Sequence, residues 1–197
     1  MTENLFLQDQ AVSFHRPYPA SLTALHEKQP EQGIFYRQDG TPFLKLWMKN
    51  ACDVKIVIGQ DTYILLEVER NLWEVTLPLE PGFYYAALYV DSVEIASPYL
   101  PIGYGHSRPC NYLEIGPAME ACRLNVFLHG RIRHEYFYSE VTGQTESCLV
   151  YAPPGYDRDQ LRLPVLYLQH GHGENEQCWV HQGRVTFIMD NLIAEGK

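Results

Sequence analysis

The chain is 197 residues long, with 46% hydrophobic and 20% charged residues, a composition that gives room for one large domain or two small ones and excludes a chain disordered as a whole. Its formal net charge is −9 and its basic residues form no run, which excludes the footprint of a nucleic-acid binder and argues against an anionic membrane surface as partner. Five cysteines without a C-x-x-C pair argue against a disulfide framework and read as reduced thiols, mostly small buried hydrophobes.

The N-terminal stretch MTENLFLQDQAVSF has Glu3 and Asp9 where a secretory leader would be positive, and no 18-residue apolar run occurs anywhere, so a cytoplasmic protein is expected. Residues 1–32 are taken as an N-terminal arm. From Phe43 to Leu100 the sequence alternates like a series of half-buried strands: FLKLWMK, DVKIVIG, TYILLEVE, LWEVTLPL and FYYAALYVD, rich in β-branched and aromatic residues. Turn residues separate them at Lys49-Asn50, Gly59-Gln60-Asp61, Arg70-Asn71 and Glu80-Pro81-Gly82. Short strands at this spacing predict a β-sandwich. Trp73, Val75 and Leu77 share one strand face, so Trp47 and Trp73 read first as core residues, with a carbohydrate-binding platform as the alternative use of one of them.

On LWEVTLPLEPGFYYAALYVDSVEIASPYLP, with its strand Trp, Pro-Gly turn and Tyr-rich strand, residues 33–116 resemble the early-set, immunoglobulin-like domains found in front of carbohydrate-active enzymes. Ser92 and Ser97 stand where that pattern has Gly and Asp. The resemblance implies a mainly β, immunoglobulin-like sandwich. Residues 101–130 carry Gly and Pro without a sustained period and read as a domain connection, with 117–130 as the linker proper.

The grammar then changes. RIRHEYFYSE and TESCLVYAP form two strands joined by a hairpin-like link at Val141-Thr142-Gly143-Gln144. PPGYDRDQLRL is a turn-rich loop, and PVLYLQ is a short apolar strand of the kind buried on both faces of a parallel sheet. In GRVTFIMDNLIAEGK, Val185, Ile188, Met189, Leu192 and Ile193 fall on one face of an amphipathic helix. Strand, loop and helix are the opening of an α/β fold.

Between that strand and helix lies HGHGENEQCW. One chemistry for it is a zinc site drawing on His170, His172, Cys178 and His181, since imidazole nitrogen and thiolate sulfur both ligate zinc. The H-x-H resembles the start of the metallo-hydrolase H-x-H-x-D-H loop, but Glu174-Asn175 continues it, so the last His is missing. The other chemistry is an oxyanion hole, in which a backbone N–H stabilises charge on an attacked carbonyl and glycine lets the chain turn tightly beside a substrate.

VYAPPGYD, PVLYLQHGHG and the helix entry CWVHQGR…DNLIAEGK, in that order, resemble the beginning of the esterase family of α/β-hydrolases that includes feruloyl esterases, esterase D and enterochelin-type esterases. The match covers about residues 129–197, taken as a domain segment from 131 to 197. It implies about three strands and one helix of a truncated α/β-hydrolase domain. It also implies that the oxyanion N–H is that of His172, that Gly171 and Gly173 shape the turn, and that Trp179 lies near the substrate cleft, where a plain packing role competes. His181 reads as a solvent or helix-start residue.

Hydrolases of this kind carry the nucleophile in a G-x-S-x-G elbow after the oxyanion loop. None occurs here. GHSRP, with Ser107, lacks the second glycine and precedes the loop, so Ser107 reads as a linker serine. The expectation is a front half of a serine esterase acting on carbohydrate-linked or aryl esters, with no cofactor and no activity alone, able to self-associate through uncovered strand edges or an apolar helix face. The rival readings are a carbohydrate-binding or assembly module and, third, a metal-dependent hydrolase.

Overall fold

The alternation that begins at Pro42 becomes strand because every second residue finds a common core. The computed structural model describes residues 30–117, 120–123, 128–156 and 162–197; most of the N-terminal arm, part of the linker and part of the PPGYDRDQLRL loop lie outside the described residues. The chain divides into two units that part at Pro117.

The first unit holds β1 (Gly33–Tyr36), β2 (Pro42–Trp47), β3 (Val54–Ile58), β4 (Asp61–Ile64), β5 (Leu66–Glu69), β6 (Leu72–Thr76), β7 (Gly82–Val90), β8 (Val93–Ile95), β9 (Ile102–Gly105) and β10 (Arg108–Ile115). They make two antiparallel sheets, one in the order β1-β2-β6-β5 and one in the order β4-β3-β7-β10-β9, with β8 also paired to β7. Leu44, Leu46 and Trp73 from the first sheet and Val54, Ile56, Ile58, Ala86, Leu88, Leu113 and Ile115 from the second share one buried cluster. This is sheet-on-sheet packing, with the inward residues of both layers making the core.

TYILLEVE, expected as a single strand, is two. Ile64 and the residues before it pair with β3, those from Leu66 on pair with β6, and the buried Leu65 lies between, its N–H donating to Val54 O at 2.8 Å. The connection expected from residue 101 is also corrected, because 102–115 is a hairpin and β10 is an inner strand between β7 and β9. Gly103, Gly105 and Pro109 hide its alternation, yet Leu113 and Ile115 reach the core.

His106 (φ 53°) and Ser107 (φ 63°) form the two-residue turn of that hairpin, both left-handed, as a type I′ turn requires. Asp91 (φ 48°) and Ser92 (φ 69°) do the same between β7 and β8. Gly105 is needed for a close approach: a Cβ there would lie 2.6 Å from the Tyr85 ring.

In the second unit the two expected strands appear as a long antiparallel hairpin, β11 (Arg131–Ser139) and β12 (Gln144–Ala152). A 3-10 turn at Glu120–Cys122 precedes it, and α1 (Cys178–His181) and α2 (Val185–Ala194) follow. The expected strand PVLYLQ does not form: 162–170 joins no sheet, and Val165, Leu166 and Tyr167 are 70%, 68% and 87% exposed. A doubly buried parallel strand needs neighbours on both edges, and among the described residues this unit's sheet is the hairpin alone. Where three strands were expected, the described residues of this unit hold two, β11 and β12.

The helix at 185–194 is where the periodicity put it, but turned differently. Phe187, Asp190 and Asn191 are its buried residues, while Val185, Ile188, Met189 and Leu192 are partly buried and Ile193 is exposed. Two polar side chains win the inward positions because each has several backbone or hydroxyl partners waiting there, which offsets the desolvation of burying them.

Candidate functional site

The HGHG segment folds as a four-residue turn. Glu174 N–H donates to Gly171 O at 3.2 Å, and Gly173, third in the turn, takes φ 77°, a left-handed conformation natural to glycine. The Glu174 side chain also returns to the turn, Oε2 accepting the Gly171 N–H at 3.0 Å. On the entering side Trp179 Nε1 donates to Gln169 O at 3.0 Å. On the leaving side Glu176 Oε1 accepts from Ser147 Oγ on β12 at 3.3 Å and lies 3.9 Å from His134 Nε2 on β11. The His172 N–H donates to no other described residue, and His172 is exposed. The turn is thus held at three points and offers an open backbone donor at its crest.

The side chains of the zinc reading serve other ends. His170 Nδ1 lies 2.9 Å from Gly171 O. Cys178 is buried at the start of α1 beside Asn175, whose N–H meets its sulfur at 3.5 Å, and burial pushes the thiol's pKa up. His181 closes α1 instead of starting a helix. Among the described residues no three of His, Cys, Asp and Glu gather in a metal-holding group.

Trp179 is 43% exposed, with its indole N–H used to fix Gln169. Of the two tryptophans considered as a sugar platform, Trp73 is 6% exposed inside the sandwich core, which removes it as a stacking face; Trp47 is partly buried at the end of β2. Ser107 sits in the β9–β10 turn, in the other unit from the HGHG loop.

Sequence reasoning also missed a polar hub on α2. Asp190 of α2, its side chain 3% exposed, accepts the Gly130 N–H at 2.9 Å and the Tyr151 hydroxyl at 2.6 Å on Oδ1, and its Oδ2 lies 3.1 Å from His129 Nδ1. Burial, then the bond to Asp190, holds the Tyr151 hydroxyl above the usual tyrosine range. Asn191 donates to Ala121 O at 3.0 Å and Arg123 O at 2.8 Å. The signal was present as an Asp-Asn pair three and four residues after Phe187, the spacing of one helix face. Glu174 was legible in the same way, three residues after the glycine whose N–H it reaches, the spacing by which a side chain caps a turn.

Fold and site together define a mainly β chain, an antiparallel two-sheet unit followed by a smaller unit whose loop presents an open backbone donor. No family model matches it. The chain is 39% identical over 163 residues to a Xylanibacter ruminicola protein named endo-1,4-beta-xylanase/feruloyl esterase, an alignment that takes in 75% of this chain and 22% of that protein. The chain therefore spans about a fifth of that protein's length. Among the described residues no helix is long and apolar enough to cross a membrane.

Proposed function

We propose that this chain is the front part of a serine esterase acting on carbohydrate-linked or aryl esters, with an immunoglobulin-like module ahead of the start of an α/β-hydrolase domain. The observation that carries this reading is the 171–174 turn, which leaves the His172 N–H open, as the donor of an oxyanion hole has to be. Similarity to a protein named in part a feruloyl esterase supports the ester as substrate.

The order β1-β2-β6-β5 against β3-β7-β10 supports the immunoglobulin-like assignment, since it repeats the ABED and CFG sheets of that fold, with β4 and β9 as added edges. Gly171 and Gly173 shape the donor, and Trp179 sets the entry to the turn. The 197 residues hold no G-x-S-x-G, so the nucleophile, its base and its acid come from polypeptide other than these residues.

The test is hydrolysis of a short aryl ester by the 197-residue chain, with intact mass measured on the same sample, beside a chimera that continues the chain with the sequence following the matched stretch in the Xylanibacter relative. The chain alone is expected to be inactive and the chimera active. A folded chimera without turnover, or an active chain alone, overturns the reading.

A further inference from the structure

Glu174 makes both halves of the turn's closure: its N–H meets Gly171 O at 3.2 Å, and its carboxylate takes the Gly171 N–H at 3.0 Å. Of the two neighbouring amides at the start of the turn, the first is therefore occupied and the second, His172, is open. The occupying group also carries negative charge, one residue from the open donor. A donor beside a fixed carboxylate still receives a neutral carbonyl oxygen, whereas a second carboxylate brought to it meets like charge at close range.

Resting on the esterase reading above, we propose that Glu174 is the positioning residue of the turn and sets its ligand class: the turn accepts the carbonyl oxygen of a neutral aryl ester and repels the aryl carboxylate that hydrolysis of that ester produces. The carboxylate lies close against Gly171: a Cβ there would meet Glu174 Oε2 at 3.2 Å.

The experiment uses the 15N-labelled 197-residue chain, its Glu174→Gln and Glu174→Ala variants, and two probes, methyl benzoate and benzoate. In Glu174→Ala the Gly171 amide is expected to shift and to exchange faster with solvent, whereas Glu174→Gln, which keeps an acceptor oxygen, retains its protection. Methyl benzoate is expected to move the His172 amide in the parent chain. Benzoate is expected to bind roughly tenfold more tightly to Glu174→Gln than to the parent, with methyl benzoate unchanged.

A Gly171 amide indifferent to Glu174→Ala overturns the positioning role. Equal benzoate affinity in the parent and Glu174→Gln overturns the charge selection, which a merely structural side chain would not alter. If neither probe moves His172 in any of the three proteins while Gly171 still answers to Glu174→Ala, the clamp is right and the oxyanion reading fails, taking the ligand preference with it.

Discussion

Asn111 holds Ser97 from both sides of its peptide unit: Oδ1 accepts the Ser97 N–H at 2.7 Å and Nδ2 donates to Ser97 O at 2.9 Å. The same amide reaches Leu100 O and Pro101 O at 3.3 and 3.2 Å, so one buried side chain on β10 ties down three residues of the bend between β8 and β9. Asn111→Leu leaves the buried Ser97 N–H and Leu100 O without the partner they have here, while Ser97 O and Pro101 O keep only their bonds from Leu100 N–H and Tyr112 N–H. It is expected to cost about 3 kcal/mol, read as a lower urea midpoint of the sandwich's tryptophan fluorescence.

The Asp190 hub predicts an alkaline weakness in the second unit. The folded Tyr151 hydroxyl titrates above its unfolded value, so its contribution is complete below the unfolded pKa of about 10 and is lost as pH rises from there through the folded value. Cys178, also raised by burial, adds loss of the same sign from its own lower unfolded value upward. Unfolding followed by circular dichroism from pH 8 to 12 should show falling stability, and Tyr151→Phe should flatten the part above pH 10. An unchanged slope in that variant would count against the hub.

Gly173→Ala puts a Cβ on a left-handed residue and is expected to cost about 1 kcal/mol, mostly by loosening the turn. In the active chimera it should lower kcat more than it raises KM, because the donor it displaces acts on the oxyanion more than on the bound ester. A change confined to KM would place the turn elsewhere than at the reacting carbonyl.

Trp73 Nε1 is buried with no hydrogen-bond partner among the described residues. Trp73→Phe removes that orphaned donor along with some volume, and should therefore cost less than the about 3–5 kcal/mol expected of Trp73→Ala. Calorimetry of Trp73→Phe decides it; a loss above the roughly 1–2 kcal/mol of the missing volume would mean that the indole N–H is satisfied.

The sandwich strands β2, β3, β6 and β7 were legible because each has one buried face, and burial of alternate residues leaves its mark in composition. β10 was not, because Pro109 and the hairpin turn at His106-Ser107 break the local pattern while long-range pairing with β7 and β9 makes the strand. In α2 the period showed the helix, but its orientation depended on Gly130, Tyr151, Ala121 and Arg123, 39 to 70 residues away in sequence, which no local window sees. PVLYLQ was misread because apolar composition reports the surroundings a segment is suited to, not those it has. At the site the glycines of the turn were legible and Glu174 left a local signal in its spacing from Gly171, but Glu176, Ser147 and His134 left none, since each is an ordinary polar residue until the fold brings it to its distant partner.

The passage of the chain through Leu65 bears on how the sandwich comes apart. Ile64 is bonded into one layer, Leu66 into the other, and the single residue between them is sealed in the core they share. Neither layer can peel away or slide without dragging this stitch through the apolar interior, so partial opening is penalised and the two sheets are bound to melt together.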